Sequence, residues 1–78
     1  MQLQLRYFAS LRDAAGIDSE TLLHEGDAIT LYQRLVDRHG FKMPRERVRL
    51  AVNGGFVAWT QPLHDGDEVV FLPPMSGG

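Results

Sequence analysis

Apolar and polar residues alternate along several short stretches of the chain, and this two-residue period predicts β-strands. It is clearest over residues 2–8, 48–52 and 68–72, and a weaker example covers residues 20–24. In the first of these strands the face expected to meet the core carries Leu3, Leu5 and Tyr7.

A longer segment follows a helical period instead. Its apolar positions, which recur every three or four residues, are Ile29, Tyr32, Leu35, Val36 and His39. This spacing predicts an amphipathic helix, and Gly40 is a suitable residue to end it. Either Asp27 or Thr30 can cap its N-terminus, because both side chains can accept a hydrogen bond from a free backbone N–H.

Turn-forming and capping residues separate the predicted elements. A short helix over residues 11–15 is expected between Ser10, as its N-cap, and Gly16, as its stop. Asn53-Gly54 predicts a type I′ hairpin turn, because both central positions of that turn need positive φ. Phe56 and Val57 then return antiparallel, and a second turn is expected at residues 65–67.

The order of these elements predicts an α+β fold. One long helix has to cover one face of a mixed sheet, which gives two layers. The natural closure is the β-grasp arrangement, in which the last strand lies centrally, beside the first. We therefore expect one β-grasp domain over residues 1–72 and an extended tail over residues 73–78.

Composition narrows the function classes. The 78 residues contain no cysteine, which leaves no thiol for redox or nucleophilic chemistry. Ten acidic residues against eight basic ones give a net charge of −2, which does not favour nucleic acid or an anionic membrane as a partner. No stretch approaches the roughly 20 apolar residues of a membrane span, and the N-terminus lacks a signal-peptide pattern. The expected location is the cytoplasm.

The interior of the chain offers little catalytic chemistry. The histidines have no second ligand at a trusted spacing, so we expect surface or boundary positions and no metal site. They are His24, His39 and His64. Three alternate arginines form a modest basic stripe, which is either a solvated face or a contact for an acidic patch on a partner. They are Arg45, Arg47 and Arg49.

Three apolar residues fall where the pattern calls for polar ones. Phe8 and Leu72 lie on the polar faces of their strands, and Phe56 lies on the edge hairpin. If the first and last strands are neighbours, these side chains form an apolar patch (Phe8, Phe56 and Leu72) near the start of the tail. Exposed apolar clusters mark contact surfaces. The alternative is that one or more of them belongs to a secondary core.

The tail itself is the remaining candidate site. It reads Pro73-Pro74-Met75-Ser76-Gly77-Gly78. The two prolines stiffen it, and the two glycines allow its tip to enter a channel too narrow for a residue with a Cβ. Such a tip would present the α-carboxylate of Gly78. The alternative is an inert, frayed end.

Three segments carry a resemblance to a known family. They are FASLRDAAG at residues 8–16, AVNG at residues 51–54 and PLHDGDEVVFLPPMSGG at residues 62–78. Over essentially its full length the chain resembles the small, sulfur-carrying subunits of molybdopterin synthase. The last segment is the most specific of the three.

The resemblance implies a ubiquitin-like β-grasp fold and a chemistry centred on the tail. An adenylating enzyme would use ATP to convert the C-terminal carboxylate to an acyl-adenylate, and a sulfur donor would then give a thiocarboxylate. The tail would deliver this sulfur to cyclic pyranopterin monophosphate in the large synthase subunit, within a heterotetramer. This chain would bind no cofactor and would supply no general acid or base.

The resemblance also implies roles for single residues. Gly78 would be the reactive residue, Gly77 would give the thin reach, and Pro73 and Pro74 would direct the tail. The other residues expected to contact the large subunit are Phe8, Phe56, Leu72, Met75 and Ser76. The alternatives are a sulfur carrier for thiamine synthesis or tRNA thiolation, a ubiquitin-like modifier of lysines, and an interaction module with an inert tail.

Overall fold

The computed structural model describes residues 1–74. Within that range the chain forms five strands, two α-helices and one 3₁₀-helix. In chain order they are β1 (Gln2–Tyr7), α1 (Ala9–Ala15), β2 (Ser19–Leu23), α2 (Ala28–His39), the 3₁₀-helix (Arg45–Arg47), β3 (Arg49–Val52), β4 (Gly55–Val57) and β5 (Glu68–Leu72). The predicted order of strands and α-helices is confirmed, whereas the 3₁₀-helix was not predicted.

The strands form one mixed sheet with the order β2-β1-β5-β3-β4. The last strand, β5, is central: it runs parallel to β1, with Tyr7 opposite Phe71, and antiparallel to β3, with Arg49 opposite Leu72. This is the predicted β-grasp arrangement. Since β5 is paired with β1 as far as Phe71 and with β3 as far as Leu72, the sheet fixes the point from which the tail departs.

The core lies between α2 and one face of the sheet. Alternation along the strands brings the inward side chains to this face, and helical spacing brings those of α2 to meet them. Side chains with almost no exposure include Leu3, Leu5, Tyr7, Leu31, Leu35, Leu50, Val69 and Phe71. Each contributes roughly 1.5–3 kcal/mol by leaving water.

Asp27 is the N-cap of α2, which decides between the two predicted candidates. Its carboxylate accepts a hydrogen bond from the Thr30 amide at 2.9 Å. The helix ends at Gly40, whose φ of 73° is the left-handed conformation that glycine adopts without strain. The Gly40 N–H donates to the carbonyl of Val36 at 2.8 Å.

The predicted cap of α1 is wrong. The helix begins two residues earlier than expected, at Ala9, and its N-cap is Phe8, which makes no side-chain cap hydrogen bond. Ser10 therefore lies inside the first turn, where its hydroxyl is not a cap. Ala9 has a φ of 52°, so the chain turns sharply directly after β1. The predicted stop at Gly16 is confirmed by its φ of 75°.

The Asn53-Gly54 turn is confirmed and also anchors the start of β5. The two residues have φ values of 51° and 88°, as a type I′ turn requires. The Asn53 side chain donates to Asp67 at 2.9 Å and accepts from the Glu68 amide at 2.9 Å. The hydrogen bond from the His64 amide, followed by that from Asn53, lowers the pKa of Asp67 below its ordinary value.

Within residues 1–74, no helix combines the length and the apolar character that a membrane crossing demands.

Candidate functional site

The root of the tail lies at the centre of the sheet. The ladder between β5 and β3 reaches Leu72, and Pro73, which has no N–H, cannot extend it as a donor. Pro73 is half-buried and Pro74 is exposed. The remaining predicted tail residues, Met75, Ser76, Gly77 and Gly78, lie outside the described residues.

Phe8 and Leu72 meet at this root, as the strand alternation predicted. Because Tyr7 is opposite Phe71 in the parallel ladder, the next residues along each strand are neighbours on the other face. Phe8 and Leu72 line one open groove of about 490 Å³ together with Pro73 and Pro74. Phe8 is 40% exposed, so it is available to a partner instead of forming part of the core.

Phe56 lies on the same face of the sheet as Leu72, but on β4, which is separated from β5 by β3. It is 58% exposed and lies opposite Ala51, which in turn lies opposite Val70. The guanidinium of Arg49 sits 3.9 Å from the centre of the Phe56 ring, and Arg49 is itself opposite Leu72. The apolar patch is therefore continuous through Arg49, Ala51 and Val70, which were not predicted to belong to it. The register of the hairpin is the signal that could have identified them.

The predicted basic stripe does not form. Arg45 lies over Trp59 at 5.5 Å from the ring centre, and Trp59 packs against the core. Arg49 instead lies over Phe56 on the open face of the sheet. Arg45 and Arg47 lie in the 3₁₀-helix, which does not alternate as a strand does, whereas Arg49 lies in β3, so Arg45 and Arg49 cover different surfaces. Arg47 is the member that stays beside the tail root, where it lines the groove with Phe8.

A compact polar cluster lies at the end of β1, on the core side of the sheet, where it includes Tyr7. The Glu20 carboxylate accepts hydrogen bonds from the Tyr7 hydroxyl at 2.5 Å and from His39 Nε2 at 2.6 Å, and Arg38 lies 3.4 Å away. Burial acts to raise the pKa of Glu20, but these hydrogen bonds and the adjacent positive charges outweigh it and lower that pKa overall. The same burial and the hydrogen bond raise the pKa of Tyr7. The cluster ties β2 and the end of α2 to the residue that precedes Phe8.

The histidines do not all occupy the predicted surface or boundary positions. His24 is 7% exposed and therefore buried, which makes that prediction wrong. Its Nε2 lies 3.3 Å from both the Asp27 carbonyl and the Thr30 hydroxyl, and its Nδ1 lies 3.4 Å from Arg34. These partners explain the burial, because a buried imidazole needs its nitrogens satisfied. Within residues 1–74 no group of three or more acidic or histidine side chains is placed to hold a metal ion.

Together, fold and surface define a class of protein: a ubiquitin-like β-grasp domain that presents an apolar face around the root of its C-terminal tail. The model of the ThiS family matches residues 5–78, so the chain belongs to that family.

Named relatives agree with this membership. The chain is 31% identical to the molybdopterin synthase sulfur carrier subunit of Escherichia coli K12, an alignment covering 97% of this chain and 99% of the relative. Among solved structures it is similar to the small archaeal modifier protein 1 (SAMP1) of Methanosarcina acetivorans, with 27% identity, a TM-score of 0.79 and coverage of 99% and 96%. It is also similar to a chain in the complex of subunits 1 and 2 of molybdopterin-converting factor from Helicobacter pylori, with 25% identity, a TM-score of 0.72 and full coverage of both chains.

Proposed function

We propose that this chain is a sulfur carrier of molybdopterin synthesis, whose C-terminal glycine thiocarboxylate donates sulfur inside the large synthase subunit. The observation that carries the proposal is the family match, which continues through residue 78 and so includes the Gly-Gly tail. The E. coli relative named as this carrier aligns over 99% of its own length, which supports the same role for the whole chain.

The chemistry starts from a poor acyl donor. A partner enzyme joins the Gly78 carboxylate to AMP from ATP, with loss of pyrophosphate, because an ionised carboxylate lacks a leaving group. A sulfide-level donor attacks the acyl carbon and displaces AMP, which leaves a thiocarboxylate. Its sulfur attacks a carbon of the substrate and displaces an oxygen substituent from it. Water then cleaves the acyl–sulfur bond, which leaves the sulfur on the substrate and returns the Gly78 carboxylate. Two such transfers supply the two sulfurs of a dithiolene.

The geometry at the tail root suits delivery into a partner. Pro73 and Pro74 follow a central strand that is paired on both sides, so the direction in which the chain leaves the sheet at these prolines is set before a partner binds. Gly77 and Gly78 then offer no side chain to obstruct a narrow channel. A closed channel protects the activated acyl group from water, and it orients the sulfur toward the substrate.

The large subunit is the partner proposed for the apolar patch. The Helicobacter pylori complex pairs subunit 1, which this chain resembles, with subunit 2. Phe8, Phe56 and Leu72 would contact that subunit around the tail root, with Met75 and Ser76 inside its channel. General acid and base groups would come from the large subunit, and the adenylating enzyme would be a separate partner. Since that enzyme would use ATP, we expect the protein to act in the cytoplasm.

Intact mass spectrometry of the protein from its native host tests the carrier role directly. A thiocarboxylate replaces one terminal oxygen by sulfur, so a species heavier by that difference is expected, and the added mass should map to the C-terminal peptide. An unmodified mass in the presence of the adenylating enzyme, ATP and a sulfur donor would contradict the proposal.

Extending the chain by one residue tests the role of the terminal carboxylate. The extended protein should not support molybdopterin formation, because its Gly78 carbonyl is an amide, whereas its thermal unfolding should match that of the original chain. Proteolytic removal of the added residue should restore activity and serves as the control. An untrimmed extended chain that still supports synthesis would rule out this mechanism.

A second candidate is protein modification, favoured by the likeness to small archaeal modifier protein 1. The same activated Gly78 would then acylate a lysine amine, which would displace AMP and form an isopeptide bond. Lysine conjugates of higher mass in the same spectra, lost when Gly78 is deleted, would support this role. If cells contain the thiocarboxylate but no such conjugates, the carrier role is supported and the modifier role is not.

A further inference from the structure

A second concave surface continues from the tail root across α1. The groove beside Phe8, Leu72 and the two prolines shares three lining residues with a neighbouring groove of about 370 Å³. The shared residues are Ser10, Met43 and Arg47. The neighbouring groove extends over Leu11 and Ala14 to the segment that follows α2. We call the two together the tail-root groove.

The part of the tail-root groove formed by residues 1–74 carries positive charge alone. Its charged lining residues within that range are Lys42 and Arg47, and none is acidic. This contrasts with a chain whose overall net charge is −2. An opposite charge that covers this surface would therefore meet attraction without a competing carboxylate in the groove.

Among residues 1–74 these two cations have no partner side chain, unlike the other basic side chains. The six remaining arginines each pair with a carboxylate, a backbone carbonyl or an aromatic ring. Within residues 1–74, Lys42 and Arg47 make no ion pair, side-chain hydrogen bond or ring contact, and both are exposed. Their charges are thus available to a partner without loss of an internal contact.

The backbone of the groove is held in place. The Tyr32 hydroxyl donates to the Met43 carbonyl at 2.6 Å, which ties the segment after α2 to the helix. The Arg47 amide donates to the Pro44 carbonyl at 3.0 Å and closes the 3₁₀-helix. Arg47 therefore projects from a hydrogen-bonded turn, so little backbone ordering is needed when a partner binds.

We propose that the tail-root groove receives an apolar segment of the large synthase subunit that carries an acidic side chain, paired with Lys42 and Arg47. This inference rests on the proposed function. A subunit that seats the tail has to cover the root at Phe8 and Leu72, and the groove is continuous with that position. Exposed charges of this kind steer association and select partners more than they add affinity. Two cations on an acidic chain are too few for nucleic acid or anionic lipid.

The test compares two variants of equal net charge. K42Q/R47Q removes both groove cations and shifts the net charge from −2 to −4. T60E/Q61E adds two acids in an exposed turn outside the groove, which also gives −4. The full-length proteins are titrated with the purified large subunit of the same organism at low and high salt. The charge-retaining K42R/R47K variant serves as the rescue.

We expect K42Q/R47Q to bind about tenfold more weakly at low salt, mainly through slower association, and to show a smaller salt dependence. T60E/Q61E and K42R/R47K should stay within about twofold of the original chain on the same basis. Unfolding in urea should be unchanged in all three, because the altered side chains are exposed.

The possible failures are distinguishable. Equal affinity and equal salt dependence of the two −4 variants, with normal binding of the original chain, would overturn the groove inference alone. If K42Q/R47Q loses binding to RNA or to anionic vesicles that the original chain binds, yet binds the large subunit normally, the groove inference is also overturned. Failure of the original chain to bind the large subunit at all would overturn the proposed function as well.

Discussion

Glu20 is the side chain whose loss of charge should most weaken the fold without changing its shape. Only 11% of the side chain is exposed, and its carboxylate accepts from Tyr7 and His39 with Arg38 beside it. In Glu20→Gln the amide keeps one acceptor oxygen but turns an NH₂ group toward the second donor. A hydrogen bond to a charged group contributes roughly 1.5–3 kcal/mol, so the substitution should cost about 2–3 kcal/mol.

This loss is large for so small a domain. At about 0.05–0.15 kcal/mol per residue, the whole chain has a free energy of unfolding of only about 4–12 kcal/mol. A loss of 2–3 kcal/mol should lower the melting temperature by roughly 10–20 °C. Urea unfolding at pH 7 measures the difference. Glu25→Gln is the control, because the Glu25 side chain is 94% exposed in its pairing with the N-terminus, and it should leave the urea midpoint unchanged.

The pH dependence gives a second measure of the same contact. The folded-state pKa of Glu20 lies below its ordinary value of 4.5. The stabilisation is therefore complete above about pH 5 and is lost as the pH falls through the folded pKa. The original chain should weaken more steeply than Glu20→Gln between pH 5 and pH 3, so the gap should narrow. A Glu20→Gln variant within 0.5 kcal/mol at pH 7, or a gap that stays constant with pH, would refute the reasoning.

Three further substitutions probe the surface and the turns. Phe8→Glu should weaken binding to the large subunit about tenfold or more, because it places a charge in the apolar patch, whereas Leu23→Glu, 70% exposed at the far edge of the same face, should not. Ala9→Gly should raise the free energy of unfolding by about 0.5–1 kcal/mol, since glycine accepts the φ of 52° without strain. Asn53→Ala should lower it by about 2–3 kcal/mol, because it leaves a φ of 51° on alanine and removes two hydrogen bonds to the start of β5.

Binding titrations and urea unfolding decide these three. Equal losses in Phe8→Glu and Leu23→Glu would mean that added charge, and not the patch, controls affinity. A destabilised Ala9→Gly would show that the left-handed turn is not strained. An Asn53→Gly variant should be less destabilised than Asn53→Ala, and the reverse order would remove backbone strain from the explanation.

The elements that sequence reasoning found were those governed by local physics. Alternation identified β5 as Glu68 to Leu72, and Asn53-Gly54 identified the hairpin, because in both cases neighbouring residues determine the outcome. Sequence reasoning failed where contacts with distant parts of the chain determine the local conformation or the surroundings of a side chain. Nothing near Phe8 indicates that Ala9 will adopt positive φ, and nothing near Glu20 indicates that Tyr7 and His39 will surround it.

The same distinction applies to the candidate site. Strand periodicity, combined with the expected pairing of the first and last strands, predicted Phe8 and Leu72 on one face, and the parallel pairing of β1 with β5 is observed. The groove cations required the folded chain, because Arg45, Arg47 and Arg49 look alike in sequence. Arg45 in the 3₁₀-helix and Arg49 in β3 lie over separate aromatic rings. Arg47 is left beside the tail root, where no other side chain of residues 1–74 pairs with its charge.

The position of Phe8 links the stability of the domain to its proposed delivery role. Phe8 directly follows Tyr7, whose hydroxyl donates a hydrogen bond to Glu20, and it precedes Ala9, whose left-handed conformation turns the chain. Leu72, its neighbour, is held by the ladder to β3. The residues proposed to meet the partner are thus oriented by buried contacts that the partner does not touch. Glu20→Gln should consequently weaken large-subunit binding through a loosened Phe8, even under conditions where the variant is fully folded, whereas Glu25→Gln should not.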